Sequence, residues 1–309
     1  MNLRKIFVNS LLAFVCAALT SVAVEPLPAR DSYITSADQG NAPSEVELKA
    51  LGDRIVAALH NDDAIMEEYE RIDHQTVLTG VDRHVTEDRT FRVVPTGTGT
   101  LRLLIKEGGK PVDADTYHKQ LRDLEQVLEI GSNPKDARQQ AAYAKWQKRT
   151  KERRDLVETA RNAFHASWGG HETRDGRLLD VLLLEPNPSF EPHTMAENVL
   201  THARVKIWVD DASANIVHGE AEIIKDVYFG GGVVGKLYRG GKFSLDNTEV
   251  AKGFWAPTRV QYDYAGRKFV FVFESHEITE TSHYRRVGPP AQALALVRNE
   301  LAHGAIYDP

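Results

Sequence analysis

The 309-residue sequence has a single cysteine, no long apolar run after its first two dozen residues, and no excess of basic side chains. One cysteine excludes an intrachain disulfide scaffold and a cysteine-built zinc site. No stretch of 18 or more apolar residues follows the N-terminus, so the body of the chain is not expected to span a membrane repeatedly. Lysine and arginine number 38 against 44 aspartates and glutamates, a net charge of −6, which excludes nucleic-acid binding driven by overall basicity. There is no G-x-S-x-G elbow for a serine nucleophile, and adjacent carboxylates such as Asp62-Asp63 and Asp210-Asp211 fall where turns are expected. No catalytic residue, metal or cofactor is assigned.

The N-terminus carries an address. Arg4 and Lys5 precede a largely apolar run from Ile6 to Leu19, and Ser21-Val22-Ala23 offers a small-x-small cleavage site. Residues 1–23 therefore read as a signal peptide cleaved before Val24, and the mature chain as periplasmic; the alternative is an uncleaved interfacial anchor. Cys16 follows the bulky Val15, a poor context for lipidation, and leaves with the leader. Residues 24–43, rich in Pro, Ser, Asp and Gly, read as a flexible linker.

A body of residues 44–287 follows. Ser44 and Glu47 form an S-x-x-E capping box, and Leu48, Leu51, Ile55 and Leu59 line one helix face up to a stop at Asn61-Asp62-Asp63. Strands are expected at about 68–79, 84–94 and 99–107. A helical insertion spans about 113–165. Its first helix is capped by Asp113 and carries Tyr117, Leu121, Leu124 and Leu128; its second starts at Pro134. Lys145, Lys148, Arg149, Lys151, Arg153 and Arg154 crowd this second helix. They read as a solvated face or as a patch for an anionic partner, either a membrane surface or an envelope protein.

From Leu178 the chain is β-rich, with strands near 178–185, 203–209, 215–228, 233–238, 242–249, 254–263 and 268–278. A turn is expected at Ala265-Gly266, and the short connections demand antiparallel pairing. A C-terminal helical tail, 288–309, bears Leu294, Val297 and Leu301 and stops at Gly304. Gly230-Gly231-Gly232-Val233-Val234-Gly235 satisfies the dinucleotide spacing, but Leu237-Tyr238-Arg239-Gly240-Gly241 follows where a helix is required, so a bend in the sheet is expected instead. Among twelve histidines, the pairs His165/His171 and His276/His283 lack metal-ligand spacing.

The order Arg204-Val205-Lys206-Ile207-Trp208-Val209-Asp210, Ile216-Val217-His218-Gly219-Glu220-Ala221, Val227-Tyr228-Phe229-Gly230-Gly231-Gly232, Leu237-Tyr238-Arg239-Gly240-Gly241-Lys242-Phe243 and Gly253-Phe254-Trp255-Ala256-Pro257-Thr258, closed by Phe269-Val270-Phe271-Val272-Phe273, resembles the LolA-like, outer-membrane lipoprotein-sorting proteins, particularly an uncharacterised periplasmic branch. The resemblance covers about residues 65–112 and 178–287. It implies an α+β fold: a curved antiparallel sheet, an incomplete β-barrel, covered by helices and enlarged by the insertion. It also implies a non-enzymatic carrier whose concave apolar face holds lipid or lipoprotein acyl chains. Lining candidates are Val205, Ile207, Trp208, Phe243, Leu245, Phe254, Trp255, Phe269, Phe271 and Phe273. The alternative is a binding or scaffold module of the same fold without a lipid cavity. Phe269 to Phe273 would form a strand apolar on both faces, one packed on a helix and the other facing the cavity. The oligomeric state is left open.

Overall fold

The computed structural model describes residues 42–80 and 82–304. The leader and most of the linker lie outside these. The chain order is α1 (Glu45–Met66), β1 (Tyr69–Thr79), β2 (His84–Pro95), β3 (Thr100–Glu107), β4 (Lys110–Pro111), α2 (Ala114–Ser132) and α3 (Ala137–Ala163). There follow β5 (Phe164–Arg174), β6 (Arg177–Pro186), α4 (Met195–Leu200), β7 (Ala203–Asp210), β8 (Ile216–Ile223) and β9 (Val227–Phe229). A 3-10 turn (Gly230–Gly232) leads to β10 (Gly235–Leu237), β11 (Lys242–Ala251), β12 (Phe254–Lys268), β13 (Phe271–Arg286) and α5 (Pro290–His303). The strands form one antiparallel sheet in the order β4-β3-β2-β1-β13-β12-β11-β8-β7-β6-β5, with β9 and β10 off this path. The path ends at β4 and β5 without closing. The fold class is thus the expected α+β architecture on an open antiparallel sheet.

Two compact units divide the described residues. The first joins the residues up to His60 with Arg153–Asn247 and Tyr262–Glu274; the second joins Asn61–Glu152, Thr248–Gln261 and the chain from Ser275 onward. In the second unit, α2 turns Tyr117, Leu121, Leu124 and Leu128 into a core with Ile72, Val94, Leu103, Ile105 and, from α5, Ala293 and Val297. The helix begins where Asp113 accepts the Thr116 N–H (2.8 Å), the cap expected from the sequence. Within that core lies a charged cluster. Arg92, 1% exposed, donates from Nε to Glu70 (2.9 Å), from Nη1 to the Tyr117 hydroxyl (3.0 Å) and to Glu300 of α5 (2.6 Å). Arg285 reaches the other oxygen of Glu70 (2.6 Å). Every buried charge here has a partner, which is the condition for tolerating it.

Three expectations are corrected, and one strand is added. Helix α1 does not stop at Asn61-Asp62-Asp63 but runs to Met66, because Asp62 accepts the Trp255 N–H (3.2 Å) instead of ending the helix. Helix α3 starts at Ala137, not Pro134. Asn133 accepts the Lys135 N–H (3.1 Å) in a turn, and Asp136 takes the Arg138 N–H (2.8 Å) at the helix start. Residues 164–174 are a strand, β5, that two glycines and sparse alternation conceal. Finally, Ala265-Gly266 is no turn: β12 continues through it to Lys268. A Cβ at Gly266 would sit 2.7 Å from both the Lys236 carbonyl and the Phe273 ring, so this glycine permits close approach of neighbouring strands. The turn falls at Phe269-Val270.

Candidate functional site

In the first unit, alternation along the strands sorts the lining candidates. Val205 pairs with Ala221, which pairs with Phe243; Ile207 pairs with Gly219, which pairs with Leu245. Directly opposed residues share a sheet face, so Val205, Ile207, Phe243 and Leu245 form two parallel ridges with the small Gly219 and Ala221 between them. All four large side chains are at most 3% exposed. No charged side chain enters this row of six. Helix α1 turns Leu48, Leu51, Ile55 and Val56 inward, and the end of α3 turns in Val157, Ala160 and Ala163. Polar bonds at the rim hold α1: Asp53 with Arg161, and Arg54 Nη2 donating to the Asp211 carbonyl (2.8 Å).

Trp208 falls on the opposite face, one residue out of phase with Val205 and Ile207. There it donates to Glu172 (2.6 Å), lies beneath Lys206 (4.2 Å) and packs against His218, with ring centroids 4.8 Å apart. Sequence reasoning missed His218. Its ring contacts Asp246 (2.6 Å) and Glu220 (3.3 Å). Burial opposes its charge, but the two carboxylates prevail and push the imidazole up to about 9. With both nitrogens engaged and the proton tightly held, His218 is built as an ion pair rather than as a base. Glu220 lies two residues from His218 on β8, but only the pairing of β8 with β11 brings Asp246 to it, so no local sequence signal announces that contact.

Phe254 and Trp255 belong to the second unit. Phe254 packs on Tyr69 (4.7 Å) and edge-on to Tyr284 (6.2 Å). Phe273, half-buried, meets Tyr264 edge-on (6.2 Å) in the first unit. Phe269 and Phe271 overturn the expectation of a packed strand: both are exposed, with Val270 and Val272, at the β12–β13 tip. The expected strand shifts because its first residues form the turn. Lys145, Lys148, Arg149, Lys151, Arg153 and Arg154 are all exposed along α3. Lys148 lies 3.9 Å from Glu152, and Arg149 donates to the Thr98 carbonyl (2.9 Å). The triple glycine forms a 3-10 turn entering β10, a strand, so the helix that phosphate binding requires does not follow.

No family model matches the sequence, and no curated protein does. Fourteen solved chains match. One is a domain described as that of an outer membrane lipoprotein-sorting protein from Vibrio parahaemolyticus, at 10% identity over 74% of this chain and 90% of that one, with a TM-score of 0.32. A LolA superfamily protein from Nitrosomonas europaea is 12% identical over 77% of this chain and 96% of its own, TM-score 0.32. A DUF1329 family protein from Desulfovibrio piger is 13% identical over 77% and 92%, TM-score 0.26. The first two belong to the group that the strand-and-turn pattern resembles. Likeness of this order transfers no residue role and no activity.

Proposed function

We propose that the protein is a periplasmic, non-enzymatic carrier that binds lipid or lipoprotein acyl chains along the apolar row of the first unit. The observation that carries this reading is the trough itself: ridges of Val205 and Ile207 on one side and Phe243 and Leu245 on the other, with Gly219 and Ala221 as its floor. An acyl chain is apolar throughout and makes no directional bonds, so a charge-free row of aliphatic and aromatic side chains suits it. Each methylene sheltered from water is worth roughly 0.8 kcal/mol. The row is buried, so loading requires the packing over it to open; α1, in the same unit, is held by exposed bonds of the kind that contribute little. The leader-like residues 1–23 support export.

The deep burial of the same four side chains favours a second reading, a binding or scaffold module of this fold with no lipid cavity. Mass spectrometry of protein produced in a periplasm separates the two. Carriage predicts stoichiometric co-purified lipid that is lost in Ala221→Leu, where the floor is raised, while the variant stays folded. A lipid-free protein that also takes up no fluorescent fatty acid would leave the scaffold reading.

A further inference from the structure

The β12–β13 turn breaks the local rules for its position. Phe269 adopts φ 55°, a left-handed conformation that favours glycine or asparagine and disfavours a bulky side chain. Folding gains little in return, since Phe269 is 52% exposed. Val270, Phe271 and Val272 follow at 77%, 75% and 67%. The turn between β9 and β10 adjoins this tip: the Phe269 N–H donates to the Val234 carbonyl (3.2 Å), and Arg267 Nη2 donates to the Gly232 carbonyl (3.1 Å). That turn adds exposed Val233, and Tyr228 on the adjoining β9 is exposed as well.

We propose that these two tips form a membrane-docking site that inserts Phe269 to Val272 and Val233 into the interface of a bilayer containing anionic phospholipid. Four consecutive exposed residues point to both faces of a hairpin. A protein groove would cover one face, whereas a fluid hydrocarbon phase surrounds all of them. Arg267 and Lys268 stand directly behind the tip, and Lys236 lies over the Tyr228 ring (5.0 Å). Asp226 is ion-paired to Lys236 (2.7 Å), and Glu274 is the first acid on β13 after the tip. On a chain of net charge −6, this local cationic collar complements anionic headgroups at the depth where the apolar tip would enter.

Docking is independent of carriage and is tested with empty vesicles. The full chain should float with vesicles of phosphatidylcholine containing about a third phosphatidylglycerol and much less with phosphatidylcholine alone. Phe271→Ser should weaken partition at least about tenfold. Lys268→Glu should weaken it on anionic vesicles only, and Val46→Ser, at an exposed site on α1, should leave it unchanged. Phe269→Gly is the discriminating variant: it should melt no lower than wild type, because glycine suits the φ, yet bind less. The indole of Val270→Trp should shift to shorter emission wavelengths when anionic vesicles are added. An unshifted indole, a wild-type chain that floats with neither vesicle, or tip variants that float as wild type would overturn docking. Co-purified lipid would survive any of these, so the two readings fail separately.

Discussion

The two units secure their apolar interiors differently. In the second unit, α2 and α5 lie on strands whose centre holds Arg92 between Glu70, Tyr117 and Glu300. In the first unit, the Val205–Ala221–Phe243 and Ile207–Gly219–Leu245 rows are purely apolar, and the polar bonds holding α1 sit at its exposed rim. A buried ion cluster is directional. Sliding or lifting a helix off it strands charges, so it specifies one arrangement. Apolar contacts without fixed partners tolerate rearrangement or replacement by another apolar body, provided that volume is filled. The second unit is therefore fixed in one arrangement, whereas the packing of the first unit's apolar rows has no directional lock.

Breaking the charged cluster should have the largest effect. Arg92→Met leaves Glu70, 1% exposed, with Arg285 as its remaining basic partner. The expected loss is about 3–5 kcal/mol in urea denaturation, because an incompletely compensated charge stays in the core. Pairing it with Glu70→Gln should recover part of that loss. A loss under about 1 kcal/mol would remove the contrast between the units.

Next comes overfilling the trough. If the rows are close-packed core, Ala221→Leu should cost about 1–3 kcal/mol. If an acyl chain normally occupies part of this volume, lipid-free Ala221→Leu should lose much less stability, while lipid retention disappears. Thermal melts of delipidated protein, with and without added fatty acid, read both.

A pH scan sharpens the comparison on the other face of the first unit's sheet, where the His218 ion pairs lie beside Trp208 and its apolar neighbours Leu179 and Val181. His218 rises from 6.5 to about 9 in the folded chain, so its ion pairs with Asp246 and Glu220 stabilise fully below pH 6.5. That contribution is lost as pH climbs through about 9. Allowing for partial screening, about 1–2 kcal/mol should disappear over this window. Asp246→Asn should flatten the slope. A profile that is flat in wild type would mean that these carboxylates do not hold the proton.

What could be read from the sequence follows from the range of each signal. Short-range periodicity placed β1 to β3 and α2 with its Asp113 cap. It could not pair β8 with β11, so the floor of Gly219 and Ala221 and the His218–Asp246 contact were invisible. Glu70, Arg92 and Glu300 come from widely separated segments, and nothing local marks them as a cluster. The Phe269 to Phe273 run misled for a related reason. Apolar density reads as a buried strand, and only the position of the turn, displaced from Ala265-Gly266, shows that most of it faces outward.

The smallest expected effect tests whether α1 is held by its rim. Arg161 pairs with Asp53, and Arg54 reaches the Asp211 carbonyl; both bonds are exposed. Arg161→Ala and Arg54→Ala should each cost only about 0.2–1 kcal/mol of global stability. If the rim restrains the cover of the apolar row, hydrogen exchange at Ile55 and Val56 should nevertheless accelerate in the double variant, with fatty-acid uptake becoming faster. Exchange at Leu121 and Leu124, beneath the charged cluster of the second unit, should not change. Equal acceleration in both helices would mean that the substitutions lower global stability alone, and the mechanical difference between the units would then have no basis in these bonds.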